Sequence, residues 1–139
     1  MKLKLITTTI LIIAGVFMFI MIAGFRPYYQ TKPWAVPDNY KKMKNPVAAN
    51  AASIKSGKEL WAKHCQSCHG KTGLGDGPKA AQLKTEPGDL SAAKFQSQSD
   101  GELFYKLSEG RDDMPSFKKK IPDEEDIWSI VNYMRTLKK

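Results

Sequence analysis

The sequence predicts a small all-α domain preceded by one N-terminal membrane-spanning helix. Three observations carry that prediction. Leu5 to Phe25 is apolar apart from Thr7, Thr8, Thr9 and two glycines. Downstream of Ser53, apolar residues recur at three- and four-residue spacing, the period of a helix with one buried face, and no alternating strand pattern of any length appears. Helix-start signals of the form S-x-x-E stand at Ser56–Glu59 and Ser99–Glu102.

The 139 residues carry a formal charge of +8, unevenly spread. Lys2 and Lys4 hold two of these charges, residues 26–52 a net four, and the chain from Ser53 on the remaining two. The basic character therefore belongs to the segment next to the apolar run. This argues against a nucleic-acid-binding domain, which would concentrate lysine and arginine on its own face.

Taken in order, Leu5–Phe25 provides about 21 residues, or about 31 Å as a helix, enough to cross a hydrocarbon core of about 30 Å. A cleavable signal peptide would have a shorter apolar stretch ending in small residues. Here Met21 and Ile22 stand where small residues are wanted, so residues 1–25 read as an uncleaved anchor. Residues 26–52 read as a basic tether. Pro27, Pro33, Pro37 and Pro46 interrupt helix and favour extended geometry, and Tyr28, Tyr29 and Trp34 suit a membrane interface, or packing on the domain or on a partner subunit that would dock part of the tether and shorten its reach. Fully extended, this tether would reach about 80 Å.

Residues 53–139 read as the folded domain. In its first helix Ile54, Gly57, Leu60 and Trp61 share a face, with Ser56–Glu59 as a start signal, and the helix runs into Cys65-Gln66-Ser67-Cys68-His69. Gly70, Gly73, Gly75, Gly77 and Pro78 then make a turn-rich loop, followed by a short helical turn within Lys79–Leu83 and a loop through Ser91. A second helix of about ten residues follows Ser99, with Leu103, Phe104 and Leu107 inward and Gly110 at its end. The last helix starts near Asp123. Its acids, Glu124 to Asp126, suit the positive end of the helix dipole, and Ile127, Ile130, Val131, Met134 and Leu137 form its buried stripe.

The only two cysteines of the chain stand in C-x-x-C-H, the spacing of c-type haem attachment. Two thiols so placed each add to one vinyl group of the same porphyrin, and His69 is then placed to ligate the iron. A thioredoxin-like redox pair lacks its βαβ surroundings. A zinc site lacks its second pair of ligands. A structural disulfide leaves His69 and the glycines unexplained. A covalent haem would also give so small a domain the apolar centre it otherwise lacks. For the opposite face of the iron, His64 sits at a helix end, Met134 lies on the buried stripe, and Met1, Met18, Met21 and Met43 lie outside the domain. Met114 is in a loop between two helices, stiffened by Pro115.

Residues 53–137 resemble the class I cytochrome c family. The likeness rests on Gly57-Lys58-Glu59-Leu60-Trp61 running into Cys65–His69, on His69–Pro78, on Met114-Pro115-Ser116-Phe117, and on Asp123–Arg135. The resemblance implies thioethers at Cys65 and Cys68, one haem c, His69 as proximal and Met114 as distal iron ligand. It also implies a Pro78 carbonyl accepting from the His69 ring. Gly57 and Trp61 would cross the last helix near Tyr133. Pro122 departs from the pattern, since a hydroxyl cap is common there. Anchor and tether resemble membrane-bound cytochrome subunits of respiratory complexes. The expected function is one-electron transfer between membrane-bound respiratory partners, without bond chemistry, with the domain on the periplasmic side of the inner membrane. The competing expectation is a haem enzyme or gas sensor with an open sixth position.

Overall fold

In the computed structural model, residues 33–139 are described, and Ala35–Lys139 form one compact unit. The predicted span Leu5–Phe25 lies outside the described residues, among which no helix is long and apolar enough to cross a membrane. The elements are α1 (Asp38–Lys41), α2 (Ala51–His64), α3 (Gln66–His69), a 3-10 turn (Ala80–Gln82), α4 (Ala93–Gln96), α5 (Asp100–Glu109) and α6 (Glu124–Arg135). Among the described residues the only extended pairing is an isolated bridge between Arg111 and Met114. The all-α expectation therefore holds for this part of the chain.

Three helices make the frame. In α2, the start signal expected at Ser56–Glu59 is not the cap. The cap stands six residues earlier, where Asn50 accepts from the Ala52 and Ser53 N–H groups and Ser53 Oγ accepts from Asn50 N–H. That reciprocal pair satisfies the first orphan donors, so Ser56 falls inside the helix. In α5 the expected pair does act: Ser99 N–H donates to Glu102 Oε2 (2.7 Å) and Glu102 N–H to Ser99 Oγ (3.2 Å). For α6, Asp123 rather than a hydroxyl caps the helix, accepting from Glu125 N–H at 2.9 Å. Pro122 precedes that cap and so costs it nothing.

The core lies where α2 and α5 meet α6. Trp61, Leu103, Ile127, Ile130 and Val131 are its most enclosed large side chains. Gly57 brings the backbones of α2 and α6 together: a Cβ there would overlap the Ser129 carbonyl oxygen and lie 3.0 Å from Ile130 N. One turn on, the Trp61 ring tilts against Tyr133 at 5.8 Å, and Phe104 of α5 stacks on Trp128 at 4.2 Å.

The boundary expected at residue 53 is not where packing begins. Val36 is 6% exposed, and Tyr40 sits 4.8 Å from the Tyr105 ring. Asn45 donates to the Trp128 carbonyl (3.2 Å) and to Asn132 Oδ1 (2.8 Å), and the buried Asn132 donates to Val47 O (3.1 Å) and Ser53 Oγ (3.2 Å). Residues 35–50 are thus a strap laid over α5 and α6. Of the tether's prolines, Pro37 and Pro46 lie in this strap, and Pro37 stands as the N-cap of its short helix α1. Gly101 lets the strap close on α5, since a Cβ there would overlap the Tyr40 carbonyl.

Candidate functional site

The site begins at the end of α2. Cys65 N–H donates to Trp61 O (2.9 Å), continuing the helix pattern, and the Cys68 and His69 N–H groups both turn back to Cys65 O (3.1 and 3.0 Å). One turn of helix therefore puts the two thiols at i and i+3 on a shared face, with His69 immediately after. Both cysteines are free. Cys65 is 6% exposed, and burial, assisted by Cys68, pushes its thiol pKa up to about 12. A redox dithiol depends on a depressed thiol pKa, so this environment opposes that reading. Among the described residues no group of three His, Cys, Asp or Glu side chains converges as a metal cage, which removes the zinc reading there.

His69 is half-buried, and desolvation pushes its pKa down, favouring the neutral imidazole that a metal ligand requires. Its Nδ1 is buried with no hydrogen-bond partner. Beside it Trp61 holds two contacts at once: its ring lies 5.6 Å from the imidazole, and its Nε1–H donates to Gly70 O at 3.1 Å. The glycine loop folds back onto α3 and satisfies its last carbonyls. Gly75 N–H donates to His69 O (2.9 Å), Gly77 N–H to Cys68 O (3.2 Å) and Lys79 N–H to Ser67 O (2.8 Å). Gly77 is needed there, because a Cβ would stand 2.5 Å from Ser67 O. The expected bond from the His69 ring to the Pro78 carbonyl is not made. The loop's own hydrogen bonds go to the end of α3, and Pro78 itself is exposed.

Met114 comes from a two-residue hairpin. Arg111 N–H donates to Met114 O (2.8 Å) and Met114 N–H to Arg111 O (2.9 Å), so the backbone of Met114 is held from both sides. Asp112 sits at φ 52°, the left-handed region this turn demands of its first corner residue. Beyond the turn, Ser116 Oγ donates to Ser108 O (2.6 Å) and Phe117 N–H to Leu107 O (3.1 Å), tying the loop to the end of α5. The Met114 side chain is half-buried against the same core that contains Cys65. Met134 is buried within that core, as its place on the stripe predicted. His64 turns edge-on to Phe117 at 6.0 Å.

The residues fit a covalent haem: two unbridged thiols one turn apart, and a half-buried imidazole whose Nδ1 has no hydrogen-bond partner. Sequence reasoning missed two contributors. The Trp61 indole donates across the motif, which its place on an apolar face did not suggest. The Asp113 carboxylate accepts from Lys84 and Thr85 N–H at 2.7 and 3.1 Å, a partnership 28 and 29 residues distant with no local signal.

Helices α2, α5 and α6 around such a motif define a class I c-type cytochrome domain, which implies covalent haem c. Residues 52–134 match the family described as "Cytochrome C oxidase, cbb3-type, subunit III", and the chain belongs to that family. A chain of the Kuenenia stuttgartiensis reducing HAO-like protein complex Kustc0457/Kustc0458 is similar in fold, with a TM-score of 0.63 and 24% identity. That likeness covers 80% of this chain and 53% of the other, so the present chain spans about half of that neighbour's length. The KustC0563 c-type cytochrome is also similar, with a TM-score of 0.53 and 28% identity over 60% of this chain and 98% of that one. A search of curated proteins finds no match.

Proposed function

We propose that this chain is a membrane-anchored, monohaem electron carrier that passes single electrons between membrane-bound respiratory partners. In this reading its one haem is bonded to Cys65 and Cys68, and the iron is held by His69 and Met114. The observation that carries the proposal is the C-x-x-C-H turn itself, with its thiols unbridged and its half-buried imidazole holding an unpartnered Nδ1. A bound haem supplies a one-electron couple whose potential rises with thioether ligation and burial. The protein's part is to hold geometry. Trp61 packs against the imidazole from one side, the glycine loop clamps the end of α3, and the doubly bonded hairpin offers Met114 from a fixed backbone. Ligands held this way move little when the iron's charge changes, which keeps the reorganisation cost of electron transfer low.

Anchoring at Leu5–Phe25, with the domain periplasmic, follows from the apolar run, from Lys2 and Lys4 as cytoplasmic flank charges and from outward attachment of haem in this family. Anchoring would confine the domain to the membrane, which favours a partner at the membrane surface, and a subunit of a larger respiratory complex over a long-range shuttle. The similar fold within a multi-subunit redox complex supports the same preference.

The test is chemical. After expression with the c-type maturation machinery, the denatured protein in acidic organic solvent should retain one haem per chain, and Cys65→Ser with Cys68→Ser should release it. Haem extracted from the parent chain refutes the proposal. Ready binding of carbon monoxide by the native reduced protein would favour the open-site enzyme or sensor instead. Mild-detergent purification, asking what comigrates, then separates subunit from shuttle.

A further inference from the structure

We propose that Asp113 is a positioning residue for the sixth iron ligand: its carboxylate latches the Met114 hairpin to the Lys84–Thr85 backbone and so holds the methionine sulfur at the iron. The inference rests on Met114 being that ligand.

Oδ2 of Asp113 accepts from two successive backbone N–H groups, Lys84 at 2.7 Å and Thr85 at 3.1 Å. These donors belong to the loop that continues from Gly77 and Pro78, and Gly77 is itself bonded to Cys68 O. The carboxylate therefore connects the segment that clamps the C-x-x-C-H turn to the segment that presents Met114. The connection is short and stiff. Asp113 directly precedes Met114, and both lie in the hairpin closed by the two Arg111–Met114 hydrogen bonds. Asp112 holds a left-handed φ of 52°, a conformation non-glycine residues keep only where surrounding contacts over-determine it. The other ties of this loop, from Ser116 and Phe117 to the end of α5, lie on the far side of Pro115. Upstream of Met114, Gly110 N–H donates to Lys106 O (3.1 Å) and ties the hairpin to α5, while Asp113 ties it to the Lys84 loop. Without the carboxylate the hairpin loses its hold on that loop, and the sulfur shifts with it.

The test uses the full-length, haem-loaded protein and imidazole as an added competitor for the iron. The sulfur-to-iron charge-transfer absorption of the oxidised form reports the bond. Asp113→Ala should raise the rate of imidazole capture about tenfold, the scale of losing a pair of solvent-exposed charge-assisted hydrogen bonds. Amide exchange at Lys84 and Thr85 should quicken as well, with haem content and helical signal unchanged. Asp113→Asn keeps an acceptor oxygen but not the charge, and should fall between the two. It also serves should the alanine variant fold poorly. Met114→Ala is the reference and should have no such absorption. Loss of the band in Met114→Ala together with parental capture rates in both Asp113 variants overturns the latch alone. A lowered thermal midpoint without faster capture also overturns it, because that marks a purely structural role. A band that survives in Met114→Ala overturns the ligand reading, and the latch falls with it.

Discussion

Replacing Gly57 by alanine sets two effects of opposite sign against each other. Gly57 lies inside α2, where alanine is favoured over glycine by about 0.8–1.0 kcal/mol. On propensity alone the variant would be the more stable protein. The crossing with α6 says otherwise. The added methyl would overlap the Ser129 carbonyl oxygen, lie 2.5 Å from the carbonyl carbon and 3.0 Å from Ile130 N. All three are backbone atoms in the middle of a helix, so no rotamer change relieves them. The helices must part by on the order of 1 Å, and overpacking of this kind costs about 1–3 kcal/mol or more. Separation also loosens Trp61 from Tyr133, and buried aromatic contacts are worth about 0.5–1.5 kcal/mol beyond their area. Summed, the expected net effect is a loss of about 2 kcal/mol, within a span of about 0.5–4 kcal/mol. Because α2 delivers Cys65 and Trp61 to the site, the yield of haem-attached protein should fall too. Denaturant unfolding of the haem-loaded domain measures the first effect, and haem per polypeptide the second. A Gly57→Ala protein as stable as its parent, or more so, would refute the close crossing and with it the placement of Trp61 beside His69.

Asn132→Ala removes its donations to Val47 O, Ala48 O and Ser53 Oγ together with its acceptance from Asn45, which should cost about 2–3 kcal/mol. Hydrogen exchange should then rise selectively across residues 45–53, and uniform exchange would argue against a strap. At the hairpin corner, Asp112→Gly should be at least as stable as the parent, whereas Asp112→Val should lose about 1–2 kcal/mol for a β-branched residue at positive φ. Equal thermal midpoints for the two variants would contradict the left-handed turn. Met114→Ala should abolish the sulfur-to-iron absorption while leaving the haem covalently attached, and its spectrum and acid extraction check both halves.

Several parts of this molecule were legible because their physics is local. The C-x-x-C-H turn needs only five consecutive residues to put two thiols on one face. Ser99 and Glu102 cap α5 reciprocally over three positions, and the Ile127, Ile130, Val131 and Met134 stripe of α6 is set by the helical period. At Ser56 the same local logic gave a start that the folded chain does not use. Asn50 prevails because Ser53 also donates to Ala48 O at 2.7 Å and accepts from the buried Asn132 amide, bonds that only the folded strap supplies.

From sequence alone came the helical class, the attachment motif with its histidine, the short list that singled out Met114, and the close approach at Gly57. Tertiary structure alone decided that residues 35–50 belong to the domain, because Asn45 and Asn132 meet across 87 positions. It also decided that Trp61 braces the motif through Gly70, and that Pro78 leaves the His69 ring unbonded. Asp113 is the sharpest case. Its carboxylate finds Lys84 and Thr85 because two loops are brought side by side by helices packed elsewhere. A helix turn or a cap is written in neighbouring residues; a bond between distant loops depends on the positions of every element between them, which no short stretch of sequence encodes.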